Sequence, residues 1–115
     1  MKTHRMKLLK EPYEEIKSGR KNVEMRLYDE KRREIAVGDL IVFSLESFDK
    51  EEICAKVTDT YIYEDFHSLA ENFDPESLGF AGKDPEYISN YMGKIYGVEE
   101  IEKYGTVAIK IVLCK

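Results

Sequence analysis

The chain has 115 residues and a mass of 13.4 kDa, with 43% hydrophobic and 36% charged residues. That is enough for one core, and too apolar for wholesale disorder. The net charge of -5 combines residues 1–33, with eleven Lys/Arg against six Asp/Glu (net +5), and residues 34–115, with seven against seventeen (net -10); this argues against broad nonspecific coating of nucleic acid and leaves room for a local anion site near the start.

A single domain spanning 1–115 is expected, because no Pro/Gly/Ser-rich linker divides the chain and nothing repeats. No run approaches the roughly 18 apolar residues of a membrane span. The opening MKTHRMKLLKEPYEE lacks the apolar stretch of a signal peptide, so a cytoplasmic protein is expected. Cys54 and Cys114 stand alone, without a CxxC spacing, and read as two buried thiols of a reducing compartment. With His4 and His67 as the only histidines, neither a metal site nor a cofactor is expected.

Met6–Leu9 reads as a short strand. Glu11–Gly19 follows as a helix: Pro12 suits the first turn, the early glutamates suit the helix dipole, and Gly19 suits a left-handed stop. Tyr13 and Ile16, three apart, should face the core. From Arg20 to Leu27, Val23, Met25 and Leu27 alternate with Asn22, Glu24 and Arg26, the pattern of a half-buried strand with one polar face. Asp29–Glu34 is a charged loop, and Val37-Gly38-Asp39 turns into a strand over Leu40–Leu45. A second turn falls at Phe48-Asp49-Lys50, before a long, bent or bulged strand from Glu52 to Tyr63. Glu64–Phe73 reads as a helix with Phe66, Leu69, Ala70 and Phe73 on one stripe. Leu78–Gly82 forms a loop, and Asp84 caps a helix with Pro85 at its first position, running towards Tyr96. Val98–Tyr104 is a short acidic helix, and Gly105–Leu113 is a closing strand apolar enough to be central. Two middle strand pairs are joined by turns too short for a crossover helix. The fold class is therefore α+β: a small mixed barrel of about five or six strands with short helices packed around it.

Gly19, Lys21, Glu24 and Arg26 form a Gly-x-Lys-x-x-Glu-x-Arg pattern behind a helix that ends in Ser-Gly. With the Val-Gly-Asp turn and the ending Tyr96…Glu99-Glu100…Tyr104-Gly105-Thr106-Val107-Ala108-Ile109, the chain resembles the ASCH domain family of the PUA-like superfamily over nearly its whole length. The resemblance implies a PUA-like barrel and a cleft beside the motif that binds RNA or a nucleotide-like small molecule. One branch of the family is similar to an amidohydrolase of N4-acetylcytidine, with a lysine and a threonine as catalytic residues. Lys21 matches that lysine, but Glu24 stands where the threonine belongs and Asn22 replaces an earlier threonine. Other members are viewed as ribonucleases.

On a strand, Glu24 and Arg26 share one face, roughly 6–7 Å apart at Cα. Arg26 offers a planar fork to phosphate or carboxylate, which Glu24 can orient. Lys21 points formally to the other face, near the strand's start, where twist can turn it towards a cleft. Arg20 and Lys21 with Lys31-Arg32-Arg33 would build a continuous basic rim for phosphate. Among the eight tyrosines, Tyr28 is the stacking candidate because its parity matches Glu24 and Arg26; Tyr61, Tyr63, Tyr91, Tyr96 and Tyr104 fit the core better. Three readings stay open. A binding module would use Arg20, Lys21, Glu24, Arg26 and Tyr28. A small hydrolase would use Lys21 and Glu24 as a proton-transfer pair. A protein-interaction module would present its acidic remainder to a basic partner. Without the resemblance, the motif reads as a solvated charge ladder.

Overall fold

The computed structural model describes residues 1–46 and 51–114. The turn expected at Phe48-Asp49-Lys50 lies outside them. Five strands form one mixed sheet: β1 (Thr3–Leu8), β2 (Val23–Leu27), β3 (Leu40–Leu45), β4 (Glu52–Tyr63) and β5 (Thr106–Leu113), in the order β1-β3-β4-β5-β2. β1 runs parallel to β3, and every other pairing is antiparallel. The pairing of β4 with β5 slips between Val57 and Asp59, the bulge expected of so long a strand. The closing strand is interior, between β4 and β2.

Around the curled sheet pack α1 (Lys10–Lys17), α2 (Phe66–Ala70), α3 (Pro85–Ile95) and α4 (Val98–Tyr104). Sequence and structure agree on α1, α3 and α4 to within a residue or two. The helix expected over Glu64–Phe73 is shorter, because Asp65 caps it through the Ser68 amide at 2.8 Å and it ends at Ala70. Asp84 caps α3 in the same way through the Tyr87 amide.

The core has two parts. Tyr13 and Ile16 of α1 pack with Phe43, Ile41, Val57, Val107 and Ile109 on the concave side of the sheet. Val23, Met25 and Leu27 pack with Phe66, Leu69, Leu78, Ile88 and Met92 on the other side, under α2 and α3. β2 is therefore covered on both faces, which corrects the half-buried reading. Glu24 and Arg26 pair with Ile109 and Val107 and share their side of the sheet, so the polar face of β2 looks into the barrel.

Asp39 ties the first strand to the turn before β3. Its carboxylate accepts from the Lys2 amide at 3.1 Å, the Ala36 amide at 3.0 Å and His4 Nε2 at 2.8 Å. Those bonds, led by His4, hold the carboxyl far below the usual aspartate range. The thiols are not both buried: Cys54 is half-buried, Cys114 is exposed, and the Cys114 amide donates to the Cys54 carbonyl at 2.9 Å. Asp39→Ala removes all three acceptor contacts and is expected to lower Tm by several degrees in thermal unfolding at pH 7, with Asp39→Asn intermediate.

Candidate functional site

Gly19, at φ 85, ends α1 and swings the chain so that Arg20 and Lys21 precede β2 without its pleat. The alternation that would turn Lys21 away from Glu24 does not apply there. Lys21 Nζ lies 2.9 Å from Glu24 Oε1, and Arg26 Nε donates to Glu24 Oε2 at 2.8 Å. The carboxylate sits between two cations, with side-chain exposures of 8% for Lys21, 4% for Glu24 and 14% for Arg26. Burial alone would raise the Glu24 carboxyl. Lys21 and Arg26, by charge and hydrogen bonding, outweigh it and bring the value down to about 2. Burial likewise works against the charge of Arg26, and Glu24 and the Tyr96 phenol more than compensate. The Tyr96 phenol is itself pushed up, chiefly by burial.

The backbone around this trio is held from two sides. The Lys21 amide donates to the Glu15 carbonyl at 3.1 Å, and the Asn22 and Val23 amides both donate to the Ser77 carbonyl at 3.0 Å. Gly79, at φ 87, lies so close that a Cβ built on it would stand 2.9 Å from Lys21 Cδ. The loop expected over Leu78–Gly82 thus presses on the lysine, with Leu78 fully buried beneath it. Arg26 reaches further: its Nη2 donates to the Lys7 carbonyl at 3.2 Å, linking edge strand β2 to edge strand β1.

The trio forms part of the lining of a cleft of about 1220 Å³ between α1, the 79–83 loop and α3. Arg20, Lys7, Lys10 and Lys83 add positive charge at its walls, opposed by Glu11, Glu14, Glu15 and Glu46. Phe80, Tyr87, Tyr91, Ile95 and Tyr96 make one wall apolar and aromatic. Phe80 meets Tyr91 edge-on at 5.1 Å and Tyr87 at 6.4 Å, and Lys83 Nζ lies 4.6 Å from the Tyr87 ring centre. Of the expected residues, Arg20, Lys21, Glu24 and Arg26 all line the cleft, and Tyr28 does not. Tyr28 keeps its predicted face, against the concave core, but lies beyond the end of β2 with the Arg33 guanidinium 4.4 Å from its ring centre. Asn22 is exposed and also outside the lining. The continuous basic rim is divided: Arg20 and Lys21 face the cleft, Lys31 and Arg32 line a second hollow, and Arg33 is spent on Tyr28 and the Tyr104 carbonyl.

Sequence reasoning missed Tyr87 and Ile95 and placed Tyr91 and Tyr96 in the core. The signal was present. Tyr87, Tyr91 and Ile95 recur every four residues beside the buried pair Ile88 and Met92, giving α3 a second apolar stripe that core packing does not need. Among the described residues no three His, Cys, Asp or Glu side chains are grouped to hold a metal, and no helix is long and apolar enough to cross a membrane.

The profile of the ASCH domain matches residues 6–114. The crystal structure of hypothetical protein PH0355 is similar to this chain, with a TM-score of 0.87 and 37% identity, over 99% of this chain and 100% of that one. The solution NMR structure of Protein PF0455 from Pyrococcus furiosus is similar with a TM-score of 0.75 and 34% identity, over 98% of each. No curated protein matches the chain.

Two outcomes test the trio. The folded Glu24 carboxyl is a stronger acid than the ordinary 4.5, so its contribution to stability is complete above that value and is lost as pH falls towards about 2. Urea unfolding across that window is expected to show a steep acid limb that Glu24→Gln flattens, and at pH 7 that variant is expected to lose about 3–5 kcal/mol by stranding two buried cations. Gly79→Ala combines an unfavourable positive φ with a collision against Lys21, and is expected to cost about 1–2 kcal/mol or more in the same assay.

Proposed function

Since the chain belongs to the ASCH domain family, we propose that it binds a nucleotide-like ligand, free or as part of an RNA, in the cleft between α1 and α3. The observation that carries this reading is an aromatic wall beside a polar floor, in which two cations flank a carboxylate, within a single hollow. Tyr91 and Tyr87 offer ring surface to a base, and stacking of this kind is tolerant of base identity. Arg20, at the mouth, supplies a guanidinium for phosphate. Lys21 and Arg26 each keep N–H groups beyond those given to Glu24, and Glu24 keeps lone pairs for an amino group or an N–H of the ligand. Donors therefore flank an acceptor at the floor, which suits the polar edge of a base better than it suits a bare anion.

Turnover is the less supported reading. A carboxylate whose pKa lies near 2 is a weak base at neutral pH, and it has no proton to donate there. Both oxygens of Glu24 are engaged by cations. A hydrolase using Lys21 and Glu24 would need a water nucleophile activated by another group.

Calorimetric titration at low salt with nucleoside monophosphates and short RNAs tests the proposal. Binding is expected to weaken as salt rises. Tyr91→Ala is expected to lose about 1–3 kcal/mol of binding free energy, and Arg20→Ala to weaken binding severalfold with Tm unchanged. Flat titrations for every nucleotide and RNA tried would contradict the reading. Arg26→Ala is a poor probe, because Arg26 also links β2 to β1.

A further inference from the structure

A second hollow of about 590 Å³ lies along β1, and Lys7 and Arg26 line both it and the cleft. Its charged lining is one-sided. Arg5, Lys7, Arg26, Lys31 and Arg32 face it, with Glu52 as the sole carboxylate among the described residues, in a protein whose net charge is -5. Glu52 is already engaged by Arg5 at 2.8 Å. Lys31 is exposed and makes no ion pair among the described residues. Arg32 gives Nη1 to Asp29 at 3.1 Å, while its Nε is the one buried side-chain polar atom among the described residues that lacks a hydrogen-bond partner. A buried donor left unpaired is costly.

We propose that this groove is a phosphodiester subsite, holding the backbone of a single-stranded oligonucleotide one of whose nucleotides sits in the cleft. The proposal rests on the reading of the cleft given above and extends it from a nucleotide to a strand. Arg26 stands where the two hollows meet, so a backbone leaving the cleft passes directly onto Lys7 and Arg5. Those two side chains are two residues apart on one face of β1, a separation of roughly 6–7 Å, comparable with consecutive phosphates of an extended strand. Lys31 and Arg32 face them from the loop after β2. The contacts are to phosphate, so they add affinity and fix the strand's direction without reading its sequence. An acidic peptide suits the site less well, because the hollow continues into a cleft with ring surface for bases.

The test compares a nucleoside monophosphate with a single-stranded tetraribonucleotide, titrated into the intact protein at several salt concentrations. The tetranucleotide is expected to bind at least tenfold more tightly and with a steeper salt dependence. Arg5→Ala/Lys31→Ala changes two exposed residues outside the cleft lining. It is expected to lower tetranucleotide affinity about tenfold, to reduce the slope of log K against log salt by about 0.7 for each phosphate that is no longer neutralised, and to leave monophosphate affinity and Tm unchanged. Arg32→Ala is expected to act in the same direction. Equal affinity for the two ligands, or equal weakening of both in the double variant, overturns the subsite and leaves the cleft standing. Competition by inorganic phosphate or an acidic peptide as effective as by the tetranucleotide also overturns it. Failure of both ligands to bind the unmodified protein removes the cleft reading and the subsite together.

Discussion

The Glu24 carboxylate, buried between Lys21 and Arg26, is the contact on which the remaining architecture turns. Three charges have left water, and each is tolerable only because the others are there. An arrangement of this kind is weak evidence for net stability, since well-packed apolar side chains serve as well. What it does is fix positions. Lys21 draws the end of α1 and the Gly79 loop onto the start of β2, and Arg26 joins the sheet's two edge strands through the Lys7 carbonyl. Removing the carboxylate would strand both cations in the interior.

The same arithmetic of charge shapes the cleft. Lys21 and Arg26 are partly neutralised by Glu24, and the wall cations are opposed by glutamates of α1. The floor is polar and directional without being strongly positive. The groove along β1 is the opposite: among the described residues its cations outnumber its carboxylates. Arg26 belongs to both, so a ligand that disturbs its guanidinium on one side is felt on the other. Under the proposed reading, the directional floor would hold a base and the positive groove its phosphates.

Most of the elements were legible because each has a local cause. Pro85 behind Asp84, the glycine after α1 and the Val37-Gly38-Asp39 turn ahead of β3 depend on neighbours a few residues away. The grouping of Lys21, Glu24 and Arg26 was legible through the family's motif. The burial of that group was not, because alternation reads the same for a solvated face and for one turned into a barrel; only the pairing of β2 with β5, at the far end of the chain, decides it. The place of Tyr28 outside the cleft lining was illegible for a related reason. Parity gives the face of a strand, and it says nothing of how far along that face a cleft extends. The wall of α3 was overlooked because tyrosines were credited to the core one at a time, whereas Tyr87, Tyr91 and Ile95 form a stripe only when counted together.

The buried trio is proposed to be the floor of a binding site as well as a structural tie. NMR of the Lys21 side-chain nitrogen and the Glu24 side-chain carboxyl carbon, followed while a nucleotide is added to saturation, separates the two roles. Both signals are expected to move in step with the amide of Gly79, while the carboxyl of Asp39, outside the cleft lining, stays still. Saturable binding that leaves Lys21 and Glu24 unmoved would contradict it.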